Sequence, residues 1–201
     1  MEWTPLVASA VLAMTVAVAA TFVRAPDPFQ AIDVLRRAGV FLALGTAFFM
    51  DDPAAVTVAS MPATLLARRS LRLAIGLSVV VSVWAAVVGY VAVRMNGGGL
   101  PVGALTLETG AALMVGFAVA AVAISNGYAG GPSGAVSLFL LSWLMPLIPA
   151  RWSLVAGAPG DADWSAAHLR WGVVLVVATA TTLALSLDPA RRRIFRQLRR
   201  V

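Results

Sequence analysis

The chain contains no cysteine and no lysine, a single histidine, only two tyrosines, and charged residues at 12% of its 201 positions. Without cysteine there are no disulfides, zinc-thiolate centres or cysteine nucleophiles, and the redox compartment is left open. Without lysine, a Walker-type phosphate loop, whose lysine reaches the terminal phosphates, is excluded. One histidine, His168, supplies neither an HExxH zinc site nor a histidine relay, and its position at the mouth of the last apolar run fits an interfacial polar contact. Gly97 to Gly99 lack the preceding strand and following helix of a nucleotide fingerprint and read as an outer turn.

What remains is apolar. Hydrophobic residues make up 60% of the chain and the mean hydropathy is +0.89, beyond the usual range of a soluble domain. A hydrocarbon core about 30 Å thick takes about 20 apolar residues per helical crossing, so this length holds roughly six crossings with short loops. Six apolar segments can be read from the sequence, at Pro5 to Val23, Phe29 to Met50, Leu73 to Val93, Leu105 to Ser125, Ala135 to Pro149 and Trp171 to Leu187. The first is preceded by Glu2 and is long for a signal-peptide core, so it reads as a retained span. The fourth and fifth are separated only by the turn residues Asn126 to Gly134. The expected fold is therefore an all-α integral membrane protein with six transmembrane helices in one domain.

All fifteen basic residues are arginine, a usage typical of GC-rich coding sequences such as those of actinobacteria. In a soluble chain the net charge of +6 would suggest nucleic acid. Here the arginines flank apolar runs, where they orient the chain in a bilayer, and a nucleic-acid partner is not expected. The tail of residues 189–201 carries Arg191, Arg192, Arg193, Arg196, Arg199 and Arg200, and Arg68, Arg69 and Arg72 lie between the second and third segments. An even number of spans puts both groups in the cytoplasm together with both termini, and puts Asp27, Asp161 and Asp163 outside. Trp152, Trp164 and Trp171 surround the last outer loop, where indoles prefer the headgroup level. The tail alternates arginine with Ile194, Phe195 and Leu198 and suits the anionic inner leaflet.

Ionisable groups inside the spans are few. Asp33 stands three and four residues before Arg36 and Arg37, the spacing that pairs charges on one helical face. Glu108, near the outer end of the fourth span, either meets Arg36 or Arg37 across the bundle or reaches headgroup water, the second being the default. Ala13 with Ala17, and Gly110 with Gly116, are small residues of the kind that let membrane helices approach closely.

The loop from Asp51 to Arg69, "DDPAAVTVASMPATLLARR", is not a plain linker. Asp52 suits an N-cap, Pro53 the first helical position and Pro62 a stop, with Ala54 to Met61 small and apolar between them. In these residues the chain resembles the type-2 permeases of ATP-binding-cassette exporters, which carry a cytoplasmic coupling helix between the second and third of six spans. The resemblance rests on Asp51, Asp52, Thr57, Pro62, Arg68 and Arg69. Valine at 56 replaces the family's usual glycine, the family's acidic and basic pair is Asp-Asp here, and the amphipathic helix usual before the first span is absent. "LMPLIPARW", with Pro146 and Pro149, parallels the family's re-entrant outer hairpin.

The resemblance implies a bacterial inner-membrane permease with no catalytic or cofactor site of its own. ATP and magnesium would belong to partner ATPase subunits, and a second permease subunit, identical or not, would complete the pathway. Asp51, Asp52, Pro53, Val56, Thr57, Val58, Pro62, Arg68 and Arg69 would then contact the ATPase. Two other readings of the same residues are a six-span substrate-binding subunit of a vitamin-type importer and a non-catalytic assembly or regulatory subunit. A lipid-modifying membrane enzyme is disfavoured by the lack of paired intramembrane acids and of metal-ligand clusters.

Overall fold

A computed structural model describes residues 3–22, 25–51, 65–95, 99–149, 152–155 and 159–186. These residues form six α-helices: α1 (Thr4–Thr21), α2 (Pro28–Thr46), α3 (Leu65–Arg94), α4 (Val102–Ser125), α5 (Gly130–Leu144) and α6 (Trp164–Ser186). Short 3₁₀ turns, Ala47–Met50 and Met145–Leu147, extend α2 and α5. Among the described residues there is no strand. Asp52, Pro53, Val56, Thr57, Val58 and Pro62 lie outside the described residues, as does the arginine tail. Arg68 and Arg69 fall in the first turns of α3, their side chains outside the description.

Four helices are long and apolar enough to cross a membrane: Thr4–Thr21, Ser70–Arg94, Val102–Ser125 and Trp164–Ser186. The chain thus has the build of a multi-pass membrane protein. Its exposed surface carries large apolar side chains on several helices, among them Val11, Val81, Phe139, Trp143, Val173 and Val176. Such a surface drives aggregation in water and is matched to solvent in a bilayer. Inside, large side chains such as Leu35, Leu42 and Phe117 are buried together with many small ones. Ala13, Ala17, Ala31, Ala38, Ala43, Ala47, Ala111 and Ala120 are wholly buried. Because lipid tails are as apolar as the side chains they would replace, helices in a bilayer associate through close packing and polar contacts rather than through a hydrophobic driving force.

α4 is the central helix. Over half of its apolar window (56%) is buried, against 17 to 28% for the other three crossing helices. It packs against α2, α5 and α6, while α2 also carries α1 and α3. Small residues set the crossings. A Cβ at Gly45 of α2 would stand 2.0 Å from Ser9 Oγ of α1, and one at Gly116 of α4 would stand 2.7 Å from Leu138 of α5. Gly110, by contrast, has open space where a Cβ would sit. Of the two α4 glycines read as packing positions, Gly116 meets a neighbouring helix and Gly110 meets nothing.

Two helices begin well before the apolar segments they contain. α3 begins at Leu65, before Arg72, and α6 begins at Trp164, ahead of Trp171. Hydropathy marks only the part of a helix suited to hydrocarbon, whereas backbone hydrogen bonding continues into the polar flanks. α5 also begins earlier than the turn residues suggest. The chain reverses over Asn126 to Ala129, where Gly127 takes a left-handed φ of 84°, and is helical from Gly130.

Candidate functional site

Among the described residues two polar clusters stand out, toward opposite ends of α2. The first lies where α2 leaves the bundle. Asp51 follows the 3₁₀ turn at the end of α2, and its carboxylate accepts from Gly130 N through Oδ1 and from Gly131 N through Oδ2, both at 2.9 Å. These are the first two helical residues of α5. Its N-cap residue, Ala129, has no side-chain acceptor, and Pro132, next in line, has no N–H. A carboxylate seventy-nine residues away in sequence therefore caps the helix, with the negative charge at the positive end of its dipole. The two glycines make room for it. A Cβ at Gly130 would lie 2.8 Å from Oδ1, and one at Gly131 would lie 2.7 Å from Oδ2 and 2.5 Å from the Phe48 ring. From α3, Arg72 Nη1 donates to the Asp51 carbonyl at 3.0 Å, so one residue joins the ends of α2, α3 and α5.

The second cluster lies two turns inside the other end of the bundle, where the N-terminal halves of α2, α4 and α6 meet. Asp27 and Gln30 form a capping box that starts α2. Two turns on, Arg36 grips Glu108 of α4 with both arms of its guanidinium: Nε donates to Oε2 at 2.7 Å and Nη2 to Oε1 at 2.8 Å. Glu108 is 7% exposed, so it is paired in the bundle rather than turned to headgroup water. Two-armed arginine–carboxylate geometry supplies the hydrogen bonds that a buried ion pair needs to offset desolvation. The neighbouring Arg37 turns outward and pairs with Asp33, an exposed i,i+4 contact at 2.5 Å.

α6 adds the single histidine. His168 Nε2 lies 3.0 Å from Glu108 Oε1, and Nδ1 lies 2.7 Å from the Trp164 carbonyl. The carbonyl only accepts, so Nδ1 carries a proton. Although Nε2 is at ion-pair distance, its direction falls short of hydrogen-bond geometry, and the buried atom has no hydrogen-bond partner. Trp164 roofs the cluster, its ring 4.3 Å from the imidazole and 6.0 Å from the Arg36 guanidinium. Trp171, read as an interface anchor, is instead buried, and its indole N–H donates to the Leu154 carbonyl at 2.7 Å. Beside it Arg170 donates to the Ser153 carbonyl at 2.6 Å, and together they fasten the segment before α6 to the helix.

Of the residues that sequence reasoning marked, the structure joins Arg36 to Glu108 and Asp33 to Arg37, and turns Asp51 onto α5. It adds three partners that reasoning missed. His168 was separable from an interfacial side chain only by noticing that α2, α4 and α6 run parallel, which brings Arg36, Glu108 and His168 to similar depth. Gly130 and Gly131 read as turn residues because nothing local indicates a remote carboxylate. Among the described residues no group of three His, Cys, Asp or Glu side chains is placed to hold a metal ion. No protein-family model matches the chain, and no curated protein or solved structure is similar enough to it to mark a relationship.

Proposed function

We propose that this chain is the membrane permease subunit of an ATP-driven exporter, crossing a bacterial inner membrane six times with both termini in the cytoplasm. Partner ATPase subunits would bind ATP and magnesium, and a second permease subunit would complete the pathway. The observation that carries the reading is the clasp around Asp51. Residues 52–64, which resemble a coupling helix, connect Asp51 to α3 in sequence, and Arg72 of α3 is bonded back to the Asp51 carbonyl. Asp51 in turn holds the N-terminus of α5. A push on the segment is thereby delivered to three helices at once, which is what a lever needs in order to bias a bundle between two packed arrangements.

In this reading α2 and α5 cross as well as the four more apolar helices. α2 carries its charges because Glu108 neutralises Arg36 within the bundle. The 15-residue α5 is lengthened by the 3₁₀ turn that follows it. The test replaces Val56 and Val58 with aspartate in the full-length chain and measures co-purification of the ATPase from the native host. Association is expected to be lost while the bundle stays folded. Unchanged association would remove the coupling assignment and with it the exporter reading.

A further inference from the structure

The Glu108–His168 contact has a property that the permease reading does not use. Nδ1 of the ring is committed as donor to the Trp164 carbonyl. A ring with one proton therefore presents a bare lone pair at Nε2, 3.0 Å from a carboxylate oxygen. Lone pair against lone pair at that distance is repulsive. A proton between the two atoms, on either of them, turns the same approach into a charge-assisted hydrogen bond. The two atoms stand at 3.0 Å without a hydrogen bond between them.

The rest of the surroundings leaves this contact as the variable one. Of the groups facing the ring, Glu108 Oε1 also accepts from Arg36 Nη2, and Arg36 holds both carboxylate oxygens. Arg37 and Asp33 on α2 pair with one another at the surface. On α6, Arg170 is engaged with the Ser153 carbonyl. Arg94, on α3, donates to the Thr21 carbonyl at the end of α1. Asp161 and Asp163, just before α6, are exposed. α6 packs along α4, and the His168–Glu108 approach is a polar contact between them near the N-terminal end of α6.

We propose that His168 and Glu108 form a proton-operated latch: a proton held between His168 Nε2 and Glu108 Oε1 fastens the N-terminal half of α6 to α4, and its departure frees that part of the helix. The proton exchanges with water at that end of the bundle. Arg36 keeps Glu108 in position throughout and is a positioning residue.

The chain has no cysteine, so spin labels can be set at the exposed positions Val102 on α4 and Leu169 on α6 by V102C and L169C in the full chain in lipid nanodiscs. One narrow inter-label distance is expected at pH 5.5, and its loss to a longer, broader distribution at pH 8. In H168Q the side-chain amide donates to Glu108 without titrating, so the short distance is expected at both pH values. A distance indifferent to pH in the parent, or a pH response that persists in H168Q, overturns the proposal. A second measurement needs no substitution. With 15N-histidine the chain gives one imidazole, whose Nδ1 is expected to keep its proton through the transition while Nε2 gains and loses one. If Nδ1 is the nitrogen that loses its proton, the latch is wrong.

Discussion

Glu108 sits 7% exposed with a guanidinium closed on both its oxygens, and the cost of disturbing it depends on whether one partner is removed or both. Glu108→Ala strands Arg36 in the bundle without its counter-charge. Breaking a buried pair from one side costs about 3–5 kcal/mol, whereas replacing both members with apolar side chains of similar volume is often neutral. Glu108→Ala is thus expected to lower the midpoint of a denaturing-detergent titration sharply, and Arg36→Met with Glu108→Leu to recover most of the loss. A double variant as unstable as the single would mean that the pair is not where the cost lies. The pairing of Asp33 with Arg37 was legible in the sequence, because i,i+4 spacing on one helix is local. Which arginine meets Glu108 was not, since it depends on the rotation of α2 about its axis, and Arg36 rather than Arg37 faces α4.

At the scale of elements, α5 illustrates a helix whose start is decided elsewhere. Asn126 to Gly134 carries every local mark of a turn, yet five of those nine residues are helical because Asp51 accepts the two donors that a helix beginning at Gly130 leaves open. Asp51→Ala is expected to cost about 1–3 kcal/mol, combining the loss of a cap with two buried N–H groups left without acceptors. Gly131→Ala acts from the other side, pushing a methyl into Asp51 and Phe48, and should cost about 1–3 kcal/mol as an overpacked position. Gly110→Ala is the contrast. With open space around its Cβ position, it should be neutral or stabilise by about 0.5–1 kcal/mol, the ordinary preference of a helix for alanine over glycine. Thermal unfolding of the three purified variants against the parent checks the order. The long apolar runs of α1, α3, α4 and α6 were visible from composition alone, whereas the remote cap on α5 is a property of the folded bundle and leaves no trace in any short window of sequence.

For the whole molecule, three helices with parallel direction place their N-terminal halves together around the Arg36, Glu108 and His168 cluster, and Asp51, Arg72 and Gly130 share the other end of α2. In the proposed orientation the arginine tail and the Asp51 end of α2 both face the cytoplasm. A fluorescent protein fused after Val201 is expected to mature in the cytoplasm, and alkaline phosphatase inserted after Gly160 is expected to be active outside. The reverse pattern would invert the orientation and put the Asp51 clasp out of reach of any ATPase. Sequence patterning carried the class of molecule because bilayer insertion is a matter of summed hydrophobicity. The two clusters depended on which helices become neighbours, and a chain built so largely from Ala, Val, Leu and Gly offers few side chains distinctive enough to announce that.

The ion pair on α2 also constrains how the protein is made. Arg36 and Glu108 are separated by seventy-two residues, which a ribosome working at about 5–20 residues per second takes roughly 4–14 s to add. Throughout that interval α2 exists with Asp33, Arg36 and Arg37 in place and α4 not yet made. If α2 crosses the bilayer as proposed, a helix so charged is poorly tolerated by lipid alone, and α2 is expected to wait at the insertion machinery or the membrane surface until its carboxylate partner emerges. Nascent chains halted before α4 should therefore remain crosslinkable to the insertion apparatus through α2, and release should follow the synthesis of Glu108.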